Sequence, residues 1–255
     1  MLILLKIGGG SISPKSSYGK FTRENSLRSI ARLIRKLLKN GYKFILVHGG
    51  GGHAHTPVKC YGILKYLDCD NMIGVSITKL MLYQVKSYIM RILISEAVPV
   101  IPVETADIFT GEGLEVSKIV KYVESGFVPL LNGDLVLVDK KLSVVSGDDI
   151  MLEIAKHLRP DICLFLIDKP GIVDKDGRTI QVLNLKSIHI YEDSRIVDVT
   201  GGILHKIEIC KILCRYCRRG VHICSIDNAS SIENVIVRGF DSNCTSILCT
   251  SELAP

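Results

Sequence analysis

Tryptophan is absent from the 255-residue chain, and aromatic residues of all kinds make up only 6% of it. This scarcity argues against a surface that stacks nucleic acid bases, although the net charge of +6 alone would permit one. No apolar run approaches the roughly 18 residues of a membrane span. Residues 1–6 are too short an apolar run for a signal peptide. We therefore expect a cytoplasmic protein with neither a membrane nor a nucleic acid partner.

The phosphate-binding motif G-x-x-x-x-G-K-[ST] is also missing. Gly49-x-Gly51-x-x-Ala54 does fit the dinucleotide fingerprint, and Asp68 follows at about the expected 20 residues. However, Asp68 does not follow a recognisable second strand, and Pro57 interrupts the helix that the fingerprint requires. We therefore discount a dinucleotide site of this type.

Nine cysteines, an odd number, are scattered along the chain, which fits reduced thiols better than a disulfide framework. Cys210-x-x-x-Cys214-x-x-Cys217 has the spacing of a radical iron–sulfur motif, but it also places the three thiols on one face of a predicted helix. Cysteines in such a stripe pack as small apolar residues. A zinc site formed by Cys214, Cys217, His222 and Cys224 matches no common module. We discount both metal sites.

The most informative stretch is His48-Gly49-Gly50-Gly51-Gly52, which follows a short apolar run typical of a buried strand. Glycines cost backbone entropy when ordered, and they are retained where backbone N–H groups must approach a ligand, most often phosphate. His55 lies just beyond, directed at whatever the loop binds. The alternative is a tight strand-to-helix turn with no ligand, for which one or two glycines would suffice.

A second glycine loop, Gly8-Gly9-Gly10, follows the predicted strand at residues 2–7. Lys6 lies within the apolar strand and Lys15 lies just past the loop. A lysine buried in such a strand needs an anionic partner. The alternative is a lysine at a strand end whose ammonium group reaches solvent.

The hydrophobic periodicity predicts amphipathic helices over residues 24–40 and 77–96, the second with Ser76 as its N-cap. The apolar face of the second helix is explained either by core packing or by a substrate pocket. Residues 104–115 are expected to be a loop or small hairpin. Strands alternating with helices predict an α/β protein with a mainly parallel sheet, whose two halves meet near residue 150.

Three further polar groups follow predicted strands or begin predicted helices. Ser146-Gly147-Asp148-Asp149 opens a helix, and one of the two aspartates could be only a cap. Asp168 ends a buried strand. Lys206 lies in the first turn of a helix predicted over residues 203–217, where a lysine opposes the helix dipole unless an anion lies between them.

These motifs, together with Asp198-Val199-Thr200-Gly201-Gly202, come in the order seen in the amino acid kinase superfamily, which the chain resembles over nearly its whole length. Within it the chain looks most like the isopentenyl phosphate kinases. His55, four residues after Gly51, carries this resemblance, because that subfamily has a histidine on the acceptor phosphate there.

The resemblance implies an open αβα sandwich, a homodimer, and ATP-dependent phosphorylation of isopentenyl phosphate, with Mg²⁺ on the ATP phosphates. Residues 1–150 would bind the acceptor and dimerise, and residues 151–255 would bind ATP. The implied catalytic residues are Lys6, Lys15, His55, Asp148 and Lys206. Those implied for the acceptor are Gly50, His55 and Gly147. Those implied for the nucleotide and its phosphates are Lys6, Gly8, Gly9, Gly10, Gly51, Asp168, Gly202 and Lys206.

The chain departs from the family pattern at several positions. Thr-Asp-Val-Asp-Gly reads here as Ile167-Asp168-Lys169-Pro170-Gly171, Gly52 replaces a common serine, Ile203 replaces a methionine, and Cys244-Thr245 replaces a Gly-Thr pair. Two alternatives stay open: a kinase of this fold for another small phosphate, phosphonate or carboxylate, and a non-catalytic nucleotide- or phosphate-binding protein.

Overall fold

The computed structural model describes residues 1–13, 20–63, 69–110, 113–138, 141–174, 176–184 and 202–249. Within them the strands are β1 (Leu2–Ile7), β2 (Lys43–His48), β3 (Val100–Pro102), β4 (Phe109–Thr110), β5 (Gly113–Leu114), β6 (Val128–Asn132), β7 (Asp134–Val138), β8 (Lys141–Val145), β9 (Ile162–Ile167), β10 (Val182–Asn184), β11 (Gly220–Ser225) and β12 (Cys244–Leu248). The helices are α1 (Gly9–Ile12), α2 (Glu24–Lys39), α3 (Gly51–Cys60), α4 (Cys69–Ser95), α5 (Thr105–Ile108), α6 (Ser117–Glu124), α7 (Gly147–Leu158), α8 (Gly202–Leu213) and α9 (Ala229–Arg238).

One sheet of eight strands runs through the molecule in the order β10-β12-β11-β9-β1-β2-β6-β3. Every neighbouring pair is parallel except β11 with β12. Two antiparallel hairpins, β4–β5 and β7–β8, lie apart from it. The α/β class with a mainly parallel sheet is therefore confirmed, and the predicted hairpin within residues 104–115 is β4–β5, preceded by α5.

Helices cover both faces of the sheet because its central strands are apolar on both sides. In β1, Ile3 and Leu5 pack into the cluster formed with α2, α4 and α9, and Leu4 packs into the cluster formed with α6, α7 and α8. Complete burial of one such side chain contributes about 1.5–3 kcal/mol. The predicted αβα sandwich is confirmed. No helix in the described part of the chain is long and apolar enough to cross a lipid bilayer.

Parallel strands bring the glycine loops to one edge of the sheet. Gly8 follows β1, Gly49 follows β2 and Gly133 follows β6. Backbone hydrogen bonds join neighbouring loops: the Gly49 N–H donates to the Ile7 carbonyl at 3.0 Å, and the Gly133 N–H donates to the His48 carbonyl at 3.1 Å. The carboxyl ends of parallel strands are the usual place for a ligand site in open α/β folds.

Several local predictions need correction. The helix predicted to start at residue 77 begins at Cys69, and Ser76 lies inside it and donates to the Met72 carbonyl at 3.1 Å, so it is no N-cap. Pro57 does not interrupt α3, which continues to Cys60; the proline only removes one backbone donor from the helix. The helix predicted to run to residue 217 ends at Leu213. Neither α6 nor β10 was predicted from the sequence.

The prediction of reduced cysteines was wrong for four residues, which form the disulfides Cys214–Cys249 and Cys224–Cys244. Cys224 and Cys244 lie directly opposite each other in the antiparallel β11–β12 pair, with their Cα atoms 4.5 Å apart. Register across two strands is a long-range property, so the spacing along the chain did not reveal it. Within the described residues, no group of three or more His, Cys, Asp or Glu side chains could hold a metal ion.

Candidate active site

A cavity of about 330 Å³ opens at the edge of the sheet where the glycine loops meet. Its lining includes Lys6, backbone from the two glycine-rich loops, the start of α7 and one residue of α8. Of the predicted site residues, those that line this cavity are Lys6, Gly9, Gly10, Gly50, Gly51, His55, Gly147 and Asp148.

The two glycine loops fit together so closely that neither could carry side chains at the contact. A Cβ on Gly9 would lie 2.2 Å from the Gly51 nitrogen, and a Cβ on Gly51 would lie 2.4 Å from the Gly9 oxygen. Gly51 also has a φ of +55°, which disfavours other residues. The glycines therefore allow two runs of backbone to approach one place, and α1 and α3 begin directly at these loops.

Two lysines from distant parts of the chain share the carboxylate of Asp148. Lys6 Nζ lies 2.7 Å from Asp148 Oδ1, and Lys206 Nζ lies 3.0 Å from the same oxygen. These side chains are 9–12% exposed. Lys206 also lies over the Phe165 ring, 4.8 Å from its centroid. Asp148 thus holds one ammonium group from β1 and one from α8 at the same point.

Burial and the neighbouring Lys206 lower the pKa of Lys6 to about 8. Burial opposes ionisation of Asp148, but the charges and hydrogen bonds of the two lysines outweigh it and lower the pKa of Asp148 to about 2. Two cations therefore share one anion. An additional anion placed next to Lys6 would stabilise its charged form, which makes this a suitable place for a phosphate.

The two aspartates at the start of α7 have separate tasks. The Asp149 N–H donates to Ser146 Oγ at 3.1 Å, and the Ser146 N–H donates to Asp149 Oδ2 at 2.9 Å, which forms a capping box. Capping by Asp149 leaves Asp148 to face the lysines. Gly147 lies between Ser146 and Asp148. A side chain at this position is also disfavoured, because a Cβ there would lie 2.9 Å from Lys6 Cε.

Apolar side chains form the rest of the cavity wall beside His55. They come from α3, α4 and the β7–β8 hairpin, and they are Ala54, Leu82, Leu135, Val144 and Val145, with the Thr78 side chain among them. Most of the apolar face of α4, including Val85, Ile89 and Ile92, packs in the core. Both explanations for that face therefore apply: core packing for most of it, and a cavity wall at Thr78 and Leu82.

Other predicted residues lie away from this cavity or outside the described chain. Asp168 is exposed just after β9, and it does not line the cavity. Gly202 begins α8. Gly8 lies at the end of β1, where its N–H donates to the Leu166 carbonyl at 2.9 Å. Lys15 and the Asp198–Gly201 part of the last motif lie outside the described residues.

Two ionisable residues of the cavity were not among the predicted site residues. His205, one residue before Lys206, lines the cavity, and its Nδ1 lies 3.9 Å from Oε2 of the exposed Glu208. Asp134 is buried and accepts from Lys79 Nζ at 2.7 Å and from the Leu135 N–H at 2.8 Å. Both residues could have been found from their neighbours in the sequence. His205 adjoins Lys206, and Asp134 follows Gly133, the glycine directly after a strand.

A sequence profile described as "Amino acid kinase family" matches residues 1–225 of the chain. The chain belongs to the amino acid kinase family. Among its relatives, the isopentenyl phosphate kinase of Thermoplasma acidophilum is 29% identical, over 92% of this chain and 96% of its own length. The isopentenyl phosphate kinase of Methanocaldococcus jannaschii is 31% identical, over 82% of this chain and 86% of its own.

Amino acid kinase family members with solved structures share this fold. A crystal structure of an isopentenyl phosphate kinase substrate complex superposes with a TM-score of 0.81, 25% identity, and coverage of 97% of this chain and 99% of that chain. The T. acidophilum isopentenyl phosphate kinase product complex gives a TM-score of 0.80 at 24% identity. An acetylglutamate kinase of Koribacter versatilis is a more distant relative, 25% identical over 83% of this chain and 85% of its own length.

Proposed function

We propose that this protein is a kinase that transfers the terminal phosphoryl group of ATP to isopentenyl phosphate, forming isopentenyl diphosphate. One observation carries the proposal: a single cavity is lined by Lys6 and glycine backbone and also by His55 and a group of apolar side chains. An acceptor with a phosphate head and a short hydrocarbon tail matches both parts. The isopentenyl phosphate kinase relatives support the same substrate.

The chemistry requires charge neutralisation more than acid–base catalysis. An oxygen of the acceptor phosphate attacks the terminal phosphorus of ATP, the P–O bond to ADP breaks, and its electron pair leaves with ADP. The attacking oxygen is already ionised, so no general base is needed. Lys6, Lys206 and the glycine N–H groups offset the negative charge that gathers there. Asp148 orients the two ammonium groups and does not act as a base.

On the acceptor side, we assign the phosphate to Gly50, Gly147 and His55. The hydrocarbon tail would then lie against the apolar wall, where Leu82 and Val144 line the cavity. Burying a short tail there is favourable at about 0.8 kcal/mol per CH₂. A carboxylate acceptor without a tail would leave this wall empty.

On the nucleotide side, we assign ATP to the half formed by residues 151–255, with Asp168, Gly202 and Lys206 in contact with it. Residues 1–150 then supply the acceptor site, and Gly8, Gly9, Gly10 and Gly51 approach the transferring phosphates. Lys15 is proposed as a further cation, from a segment outside the described residues.

Mg²⁺ would reach this site on the phosphates of ATP. Both oxygens of Asp148 face lysine ammonium groups, and no other cluster of acidic side chains in the described chain could hold a metal. These side chains therefore fit a site in which phosphate oxygens and water coordinate the ion. When bound, the ion supplies charge neutralisation that adds to that of Lys6 and Lys206.

A homodimer is proposed from the surface of α4. Large apolar side chains on this helix are about half exposed, namely Met72, Ile73, Leu80 and Tyr83. Apolar side chains grouped on one helix surface commonly mark an interface between protein molecules. Light scattering of the purified protein tests this point independently of its activity.

The substrate is tested by ADP release from Mg-ATP, with isopentenyl phosphate offered beside acetylglutamate, glutamate, UMP and fosfomycin. We expect turnover of isopentenyl phosphate alone, and a strong loss in the His55→Ala variant. Turnover of a different acceptor, unaffected by that variant, would support a kinase activity and reject isopentenyl phosphate as the substrate. Absence of turnover with every acceptor would favour a non-catalytic binding protein.

A further inference from the structure

His53 links the two glycine loops although it does not line the cavity. It is buried, at 1% exposure, in the first turn of α3. Its backbone N–H donates to Ser13 Oγ at 3.2 Å, and its ring Nδ1 pairs with the same oxygen. The tautomer of the ring decides which of the two groups donates in this contact. Burial lowers the pKa of His53, which favours the neutral ring.

The face of the same ring takes part in an aromatic stack. Phe21 lies parallel to the His53 ring, with centroids 4.5 Å apart and planes 3° apart. Tyr88 of α4 stacks on Phe21 at 4.2 Å and 7°. The row His53–Phe21–Tyr88 connects the start of α3 to the middle of α4, a helix packed in the core. Contacts of this kind contribute about 0.5–1.5 kcal/mol each beyond burial.

Ser13 in turn is bonded to both glycine loops. Its N–H donates to the Gly9 carbonyl at 2.8 Å, and its own carbonyl accepts from the Gly52 N–H at 2.7 Å. The Thr22 N–H donates to the Ile12 carbonyl at 2.8 Å, which fixes the chain next to Phe21 against the end of α1. Ser13 and His53 therefore connect the Gly8–Gly10 loop, the Gly49–Gly52 loop and the aromatic row.

Glycine loops cannot order themselves, because they have no side chains with which to pack. Direct backbone contacts bring these two loops together, and any further control of their spacing comes from the groups around Ser13. His53 is a side chain that contacts both Ser13 and the aromatic row. In phosphoryl transfer, a misplacement of about 1 Å can lower the rate about 100-fold. A residue that sets this spacing would affect turnover without touching the substrate.

We propose that His53 is a positioning residue whose stacked ring and bond to Ser13 fix the distance between the two phosphate-facing glycine loops. The inference rests on the proposed function, since those loops are taken to hold the transferring phosphates. A role confined to core packing would instead predict a loss of thermal stability with turnover preserved in the folded fraction.

The variants His53→Ala, His53→Phe and Phe21→Leu separate these roles. Phenylalanine retains the stacked ring and loses the ring's bond to Ser13, whereas alanine loses both; the backbone N–H of residue 53 can still donate to Ser13 in each variant. His222→Ala is the matched control, because His222 is also buried and bonded to a serine, Ser246 at 3.0 Å, but it lies on β11 away from the cavity. For each variant, kcat, both KM values and the melting temperature are measured, together with binding of inorganic diphosphate by calorimetry.

We expect His53→Ala to lower kcat at least about tenfold and to weaken diphosphate binding, with His53→Phe within about threefold of wild type. His222→Ala should lower the melting temperature and leave kcat unchanged. Phe21→Leu should lower kcat as His53→Ala does, and it decides the matter if the alanine variant does not fold. Wild-type kcat in both His53→Ala and Phe21→Leu would overturn the assignment.

Diphosphate binding keeps this test separate from the identity of the acceptor. If wild type does not turn over isopentenyl phosphate but binds diphosphate, weaker binding in His53→Ala still supports the positioning role. Equal binding in wild type and His53→Ala would overturn that role, whichever acceptor proves correct.

Discussion

Lys6 Nζ lies 2.7 Å from Asp148 Oδ1, and this contact joins β1 to the start of α7. The same oxygen also accepts from Lys206 at 3.0 Å. Asp148 is therefore the point at which the two lysines proposed to hold phosphate are oriented toward each other despite their like charges.

Asp148→Asn should reduce kcat by about 100-fold or more, because the two ammonium groups would repel each other and leave their positions. Removing one partner of a buried ion pair also costs about 3–5 kcal/mol of folding free energy. Asp149→Asn is the matched control: it weakens only the capping box, and it should cost about 1 kcal/mol or less with kcat retained. Steady-state kinetics and thermal melts check both. Equal activity of the two variants would contradict a special role for Asp148.

The depressed pKa of Lys6, about 8, predicts an alkaline limit on activity. In the free enzyme, Lys6 loses its positive charge as the pH rises through about 8, so kcat/KM should fall above that pH. Bound phosphate favours the charged form, so kcat should fall only at a higher pH. Lys6→Arg cannot lose its charge in this range, and its kcat/KM profile should show no inflection near pH 8. If the kcat/KM profile of Lys6→Arg keeps the same inflection near pH 8, that inflection arises from the titration of another group.

The two disulfides should stabilise the second half of the chain. They close loops with sequence separations of 35 and 20 residues, for which loop-closure entropy predicts about 3–4 kcal/mol each. Cys224→Ala should therefore lower the melting temperature by several degrees, and reductant should lower that of wild type in the same direction. Cys60→Ser, at an exposed free thiol, is the control. Wild-type melting that does not respond to reductant would mean that these cysteines are not bonded in solution.

His205 should contribute to turnover because its imidazole lines the cavity next to the ion cluster. His205→Gln should lower kcat/KM by up to about tenfold, which corresponds to roughly 1.4 kcal/mol. His157→Gln is the matched control, since His157 is exposed near the end of α7 and does not line the cavity. Identical kinetics of the two variants would show that His205 does not act on the substrates.

Local patterns in the sequence were sufficient for the scaffold and for much of the cavity. Strand-length apolar runs that end in glycine predicted where β1 and β2 stop, and parallel strands deliver the two glycine loops to the same edge of the sheet. The sequence also indicated that one of Asp148 and Asp149 could serve only as a helix cap, since a helix start needs only one cap. In each case the decisive contacts are close in sequence or follow from a general rule of chain topology.

The remaining features depend on contacts that no local pattern specifies. Cys224 and Cys244 pair because two antiparallel strands align in one register. Asp134 forms an ion pair with Lys79 across the space between a hairpin and α4. The early start of α4 was missed because its first two turns have no clear apolar stripe. Long-range register and packing decide such features, and they cannot be derived from spacing alone.

Direct observation of the product tests the central claim most sharply. Phosphorus NMR of the protein with Mg-ATP and isopentenyl phosphate should show the acceptor monophosphate signal replaced by the two coupled signals of a diphosphate, as ADP forms in equal amount. The His55→Ala variant should show this conversion slowed severely. A monophosphate signal that persists while ATP remains intact, with folded wild-type protein, would contradict the account.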